Sequence, residues 1–159
     1  MFDKNLNFII GDKNIGKSGF LFQIATLCKE VGYKTIFFGS TDEYNYSSTK
    51  KYFDLMFFYN SSDNRIIKNI QQMVENEDFD FIFIDDLDYV LKKDIKEILD
   101  INTTKICTSL QILPEVSDCK IFTLYRNPNE LFIKSDDLDI DAKNFYKKLQ
   151  REEKINSIL

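Results

Sequence analysis

Residues 7–18 read NFIIGDKNIGKS, in which a short apolar run is followed by the complete pattern G-x-x-x-x-G-K-S/T. From Lys17 to Val31 apolar side chains then recur at helical spacing, and Gly32 follows where glycine commonly ends a helix. A strand, a glycine-containing loop and a helix in this order bring backbone N–H groups and the positive end of a helix dipole around one anion. The stretch therefore predicts a phosphate-binding loop within an α/β fold.

The residues of this loop have separate predicted roles in holding a nucleotide. Gly11 and Gly16 allow the backbone angles that turn successive N–H groups toward a phosphate. We expect Lys17 to place its charge between the β- and γ-phosphates of ATP, and the Ser18 hydroxyl to ligate Mg²⁺. ATP and Mg²⁺ are thus the predicted cofactors. The predicted nucleotide-binding residues are Gly11, Asp12, Lys13, Asn14, Ile15, Gly16, Lys17, Ser18 and Gly19.

A second candidate feature is the run Phe81-Ile82-Phe83-Ile84-Asp85-Asp86, which has the pattern of a buried strand ending in acidic residues. Asp85 is predicted to hold the Mg²⁺ shell, directly or through water. Asp86 stands where many ATPases with such a loop place a water-activating carboxylate, so it is a candidate catalytic residue. The alternative is that Asp86 and Asp88 simply begin the next loop.

The order of the remaining elements predicts a mainly parallel sheet with helices on both faces, a three-layer α/β/α arrangement. We expect one domain over residues 1–159, because the length suits one domain. A late hairpin is expected to add antiparallel strands at one edge, and a charged helix is expected over 141–159. The other predicted strands are Thr35–Phe38, Leu55–Tyr59, Phe79–Ile84, Ile106–Leu110, Lys120–Arg126 and Glu130–Ser135, and further helices lie around Ile66–Val74 and Leu91–Leu99.

Composition excludes several kinds of chemistry. The chain has no histidine, which removes Ser-His-Asp and Cys-His catalysis and histidine-ligated zinc. Its three cysteines form no C-x-x-C pair and are expected to be reduced core thiols of a cytoplasmic protein. The net charge of -5 argues against general binding of polyanions. No apolar run approaches the length of a membrane span.

From these motifs onward, residues 5–135 resemble the RecA-like ATPases, especially the branch of the DnaB helicases, RadA and KaiC. The resemblance is carried by the phosphate loop with Gln23-Ile24-Ala25, by the strand in residues 32–40 and by the Phe81–Asp86 strand. It implies a water-polarising acid after the second strand, for which Glu43 is slightly preferred to Asp42. It also implies a polar γ-phosphate sensor, with Gln111 first and Ser109 second.

The same resemblance implies ATP hydrolysis linked to DNA replication, recombination or repair, in company with other proteins or further copies of this chain. Two departures weaken that implication. The family's hairpin usually carries Lys-x-Arg, whereas this chain has Lys134-Ser135-Asp136, and Arg126 is the candidate substitute. The stretches that form DNA-binding loops in the family are short here and lack a basic and aromatic composition, so DNA binding is weakly supported.

Three functions therefore remain open. The first is a minimal RecA-like ATPase, with Glu43 or Asp86 promoting attack by water. The second is a nucleotide-binding accessory protein of low turnover in a larger assembly. The third is a nucleoside kinase similar to thymidine kinase. The pair Asp85-Asp86 resembles the acidic strand end of such enzymes. Against the third stand the small number of arginines, three, and the absence of zinc-ribbon cysteines.

Overall fold

The computed structural model describes residues 1–39, 49–63, 65–113, 116 and 118–158. Within these ranges the chain forms eight strands, four α-helices and two short 3₁₀ turns, at Lys50–Tyr52 and Leu87–Tyr89. The strands are β1 (Leu6–Ile10), β2 (Thr35–Gly39), β3 (Leu55–Phe58), β4 (Phe81–Asp85), β5 (Thr104–Ser109), β6 (Lys120–Arg126), β7 (Leu131–Ser135) and β8 (Leu138–Asp141). The helices are α1 (Lys17–Val31), α2 (Arg65–Asn76), α3 (Lys92–Leu99) and α4 (Ala142–Ile158).

All eight strands belong to one sheet, in the order β3-β2-β4-β5-β1-β6-β7-β8. The first six are parallel, and β7 and β8 pair in antiparallel fashion at the far edge. Strands β2 to β5 lie on one side of β1, and β6 to β8 lie on the other. Successive strands are therefore added on opposite sides of β1. In α/β sheets, ligand crevices form at the carboxyl ends of the strands where the order reverses in this way.

Helices cover both faces of the sheet, because alternate residues of each strand point to opposite sides. On one face, α1 and α4 pack on a cluster that includes Phe37 and Phe83. On the other face, α2 and α3 pack on a cluster that includes Phe38 and Ile82. The central strands are apolar on both faces, as buried parallel strands are, so the expected three layers are present.

The sequence prediction missed parts of the last third of the chain. Strand β6 pairs in parallel with β1, with Phe8 opposite Ile121, so only β7 and β8 add antiparallel pairs. Strand β8 was not predicted, because four residues of alternating apolar and acidic character give a weak signal before a charged helix. Asp141 ends that strand and also caps α4, since its carboxylate accepts the backbone N–H of Asn144 at 3.0 Å.

None of the helices described in the ranges above is long and apolar enough to cross a membrane.

Gly19 within α1 and Gly32 at its C-cap lead to predicted stability changes of opposite sign. Gly32 ends the helix with φ of 92° and donates its N–H to the Lys29 carbonyl, so an added Cβ is strained there. Gly19 lies inside the helix with no atom within 4 Å of a Cβ built on it. We expect Gly32→Ala to lower the free energy of unfolding by about 1 kcal/mol, and Gly19→Ala to raise it by about 0.5–1 kcal/mol. Urea unfolding of the nucleotide-free protein measures both, and equal signs would contradict the assigned helix.

Candidate functional site

The loop between β1 and α1 has the curvature that an anion site requires. Asn14 has φ of 63° and Gly16 has φ of 111°, so two residues of the loop take left-handed conformations. Alternation of this kind turns neighbouring N–H groups toward one concave side. Gly16 immediately precedes α1, so the positive end of the helix dipole faces the same side.

Lys17 lies under this loop and holds its shape. Its side-chain Nζ donates hydrogen bonds of 2.7 Å to the carbonyl oxygens of Gly11 and of Asp12. The residue is buried, with 8% of its surface exposed. A nearly buried ammonium group therefore stands beneath the loop, within reach of a phosphate that enters it.

The carboxylate of Asp85, at the end of β4, joins three elements of the fold. Its Oδ2 accepts the Ser18 hydroxyl of α1 at 2.8 Å, and its Oδ1 accepts the Thr108 hydroxyl of β5. The side chain is fully buried. Burial is the largest influence on this carboxyl group and raises its pKa to about 6, although the Thr108 hydrogen bond acts in the opposite direction.

Asp86 follows in a backbone conformation that few residues other than glycine adopt. Its φ is 55°, in the left-handed region, where aspartate and asparagine are the best tolerated of the other residues. Its backbone N–H donates to the Thr108 hydroxyl oxygen at 2.8 Å. The Thr108 hydroxyl therefore holds both acidic residues: it contacts the side chain of Asp85 and the backbone N–H of Asp86.

A cavity of about 520 Å³ lies between the phosphate loop and the segment after β4. A hydrogen bond of 2.8 Å from the Leu110 N–H to the Asp88 carboxylate connects the segments after β5 and β4 beside this cavity. Asp86 is half-buried and lines this space opposite the loop. The lining residues are Lys13, Asn14, Gly16, Lys17, Ser18, Gly19, Asp86, Asp88, Tyr89 and Leu110.

In the part of the chain that the structure describes, the predicted sensor and water-polarising residues do not come together with the loop. Gln111 is exposed, and its carbonyl oxygen accepts the Ser109 hydroxyl at 2.7 Å. Glu43 and Asp42 lie outside the described residues. The polar residue of β5 that contacts the acidic pair is instead Thr108, which the sequence did not single out. A hydroxyl residue opposite an acidic strand end was the available signal, but only the register of β4 and β5 identifies it.

The oxygen atoms gathered at Ser18 and Asp85 are of the kind that Mg²⁺ prefers. The Ser18 hydroxyl lies beside the cavity and donates to the buried Asp85 carboxylate at 2.8 Å, and magnesium in phosphate sites is held by one or two such groups plus phosphate oxygens. The donor set therefore fits the metal.

A loop of this shape above a lysine, with an acidic strand end beside it, is the arrangement that nucleotide-phosphate sites take at the carboxyl edge of α/β sheets. The family model of thymidine kinase matches residues 4–112, which is more than half of the 159 residues. The chain belongs to the thymidine kinase family. A comparison with curated proteins found no match.

The family match overturns the RecA-like identification, which is wrong. The residues that carried that resemblance belong to patterns of phosphate and metal binding, and such patterns do not depend on what accepts the phosphate. The implied link to DNA replication, recombination or repair rested on the same resemblance and has no support. The alternative that the match supports is the nucleoside kinase, which the Asp85-Asp86 strand end had suggested.

Asp85 leads to a prediction on stability and pH. Because the folded-state pKa is raised to about 6 from 3.8, the ionised carboxylate destabilises the nucleotide-free fold. The corresponding stability is present below about pH 4 and is lost as pH rises through about 6. We expect Asp85→Asn to raise the free energy of unfolding at pH 7 by about 2 kcal/mol, with the gain vanishing near pH 4.

The control is Asp63, whose pKa is lowered to about 2, chiefly by its hydrogen bonds with Arg65. Asp63→Asn is expected to destabilise slightly at pH 7, the opposite sign. Thermal unfolding of both variants between pH 4 and pH 8 makes the comparison. A loss of stability in Asp85→Asn at pH 7 would contradict the assigned cost of burying this charge.

Thr108 leads to a second prediction. Thr108→Val keeps the shape of the side chain but leaves the Asp86 N–H and one Asp85 oxygen without this partner. We expect a loss of about 1–3 kcal/mol in the free energy of unfolding, because buried polar groups without partners are costly. Thr108→Ser retains the hydroxyl and should lose much less, mainly through the missing methyl group. Denaturant titrations of the two variants measure both free energies of unfolding. Equal losses in Thr108→Val and Thr108→Ser would mean that packing, and not the hydroxyl hydrogen bonds, causes the destabilisation.

Proposed function

We propose that the chain is an ATP-dependent nucleoside kinase that transfers the γ-phosphoryl group of ATP to the 5′-hydroxyl of a thymidine-like nucleoside. The observation that carries the proposal is the cavity that Asp86 lines together with the phosphate loop, in a member of the thymidine kinase family. The predicted residues of the loop, together with Asp85 and Asp86, are its proposed site. The eight strands form one sheet, which supports a single catalytic domain over residues 1–159.

The loop and Lys17 would bind and orient the phosphates of the donor. Positive φ angles at Asn14 and Gly16 support a ring of backbone N–H groups for the phosphate oxygens. Lys17 is already positioned by the Gly11 and Asp12 carbonyl groups, and moving its ammonium group toward the β- and γ-phosphates would exchange those acceptors for stronger, charged ones. Orientation of this kind accounts for much of the rate enhancement in phosphoryl transfer.

Ser18 and Asp85 are the proposed Mg²⁺ ligands. When bound, the metal would neutralise charge on the phosphate oxygens during transfer. The structural role of the protein in this step is to hold both ligand oxygens in place, which Thr108 supports by its bond to the second oxygen of Asp85. The raised pKa of Asp85 means that a cation would also relieve the cost of its buried charge.

Asp86 is the proposed general base. As the 5′-oxygen of the nucleoside forms its bond to the γ-phosphorus and the bond to the ADP oxygen breaks, Asp86 would take the hydroxyl proton and later release it to water. Its place on the wall of the cavity, together with residues of the phosphate loop, supports this role. Tyr89 and Leu110 line the same cavity with 60% and 51% of their surface exposed, so they offer apolar walls to a nucleoside base.

The proposal is tested by measuring nucleoside phosphorylation directly. Purified protein is incubated with radiolabelled ATP, MgCl₂ and one nucleoside at a time: thymidine, deoxyuridine, deoxycytidine, deoxyadenosine or deoxyguanosine. We expect labelled nucleoside monophosphate with thymidine, dependence on Mg²⁺, and loss of the product in Lys17→Ala. Release of inorganic phosphate at the same rate with and without every nucleoside, and no labelled monophosphate, would overturn the proposal.

Asp86→Asn provides the sharper variant, since asparagine also tolerates a left-handed backbone and keeps the N–H bond to Thr108. We expect kcat to fall by about 10²–10⁴-fold while the KM for ATP changes little, because only proton transfer is lost. The matched control is Asp118→Asn, at another aspartate of left-handed conformation, φ 53°, which is exposed and paired with Lys4. A kcat that is equally unaffected in both variants would exclude Asp86 as the base.

A further inference from the structure

Residues 86–91, here called the wall segment, connect β4 to α3 and supply Asp86, Asp88 and Tyr89 to the lining of the cavity beside the phosphate loop. The segment makes one tight turn, in which the Tyr89 N–H donates to the Asp86 carbonyl at 3.1 Å. Its Leu87 side chain is fully buried, whereas Tyr89 is exposed. The position of this part of the cavity lining therefore depends on how the two ends of a short turn are held.

The first half of the wall segment is held from β5, the neighbouring strand in the sheet. The Asp86 N–H donates to the Thr108 hydroxyl, and the Asp88 carboxylate accepts the Leu110 N–H, each at 2.8 Å. The far end of the segment, at Leu91, has a different support.

Tyr59, which directly follows the edge strand β3, holds that far end. Its hydroxyl accepts the Leu91 N–H at 3.2 Å and donates to the Asp94 carboxylate at 2.6 Å. Asp94 is buried in the first turn of α3, and its own N–H donates to the Leu91 carbonyl at 2.9 Å. Tyr59, Leu91 and Asp94 therefore form a closed ring of three hydrogen bonds at the point where the wall segment enters α3.

Tyr59 is itself fixed to the sheet. Its backbone N–H donates to the Gly39 carbonyl at the end of β2 at 2.7 Å, and its ring lies 6.0 Å from the ring of Phe38, between centroids. Burial is the largest influence on the hydroxyl and raises its pKa above the ordinary value, so the group keeps the proton that it donates to Asp94. The hydroxyl thus connects β2 and β3 to the wall segment.

We propose that Tyr59 is a positioning residue for the acceptor nucleoside: through Leu91 and Asp94, its hydroxyl sets the position of the wall segment, and with it Tyr89, against the nucleoside. The inference rests on the proposed function for placing the nucleoside in this cavity. Tyr59 is absent from the described residues that line the cavity, so its effect on the nucleoside is indirect. None of its three hydrogen bonds given above involves the phosphate loop, so ATP binding is independent of them.

Tyr59→Phe tests the proposal, since it removes the hydroxyl and keeps the ring. Calorimetric titrations of the full chain use thymidine alone and, separately, ATP with MgCl₂. We expect the Kd for thymidine to rise about three- to tenfold, which corresponds to the loss of one hydrogen bond, and the Kd for ATP to stay unchanged.

The matched control is Tyr33→Phe. The Tyr33 hydroxyl also donates to a carboxylate at 2.6 Å, that of Glu153 in α4. Tyr33 precedes β2 and so lies at the amino edge of the parallel strands, whereas Tyr59 follows β3 at the carboxyl edge. This variant loses the same kind of hydrogen bond, and we expect both ligands to bind to it as to the wild type.

Two further measurements separate positioning from a general loss of stability. Amide hydrogen exchange, followed by NMR, should be about three- to tenfold faster at Leu91 and Tyr89 in Tyr59→Phe than in the wild type, and unchanged there in Tyr33→Phe. Asp94→Asn keeps an oxygen that accepts the Tyr59 hydroxyl and should retain the thymidine affinity of the wild type. Asp94→Ala, which lacks that oxygen, should weaken thymidine binding as Tyr59→Phe does.

Three results would overturn the inference. The first is an unchanged thymidine affinity in Tyr59→Phe, and the second is equal weakening of thymidine and ATP in that variant. The third is the same loss of thymidine affinity in Tyr33→Phe. A wild-type protein that binds thymidine without phosphorylating it would refute the proposed kinase activity, while these affinities would still decide the role of Tyr59.

Discussion

The buried carboxylate of Asp85 is the interaction on which the rest of the site depends. It accepts hydrogen bonds from Ser18 of α1 and Thr108 of β5, while its own strand, β4, lies between β2 and β5 in the sheet. An ionised carboxylate is costly in such surroundings, which the rise of its pKa to about 6 expresses. The two hydroxyl groups offset part of this cost and also hold the phosphate loop, the acidic strand end and β5 in one arrangement. Removal of the buried charge is thus expected to favour the fold and to harm the proposed metal site.

Much of the fold could be predicted, because its signals are local. The loop pattern and the apolar spacing after it identified α1 over the same residues, Lys17–Val31, that the structure shows. The continuous apolar runs identified the central parallel strands, since strands covered on both faces have no polar side. Strand β8 escaped, because four residues without a turn signal carry too little pattern. The parallel pairing of β6 with β1 was not predicted either, because the sequence of one strand does not show which other strand lies beside it in the sheet.

The site could be predicted only where its residues are contiguous in sequence. Residues 11–19 form a single motif, and their positions follow from it. Thr108 was not singled out, because its role comes from the strand register that brings it to Asp85 and Asp86. Gln111 was preferred through the RecA-like resemblance and is exposed in the structure. That resemblance also misassigned the family, because a loop for phosphate says what is transferred and says nothing of the acceptor.

The bonds of Lys17 to the Gly11 and Asp12 carbonyl groups have a consequence for the end of a catalytic cycle. In the absence of nucleotide the ammonium group already has two acceptors, so the loop does not need an anion to keep its shape. In the proposed kinase, the diphosphate that departs after transfer would leave behind a lysine with two carbonyl acceptors to return to. Its charge would then keep partners in the empty site, so retention of the product would not be needed to stabilise the loop.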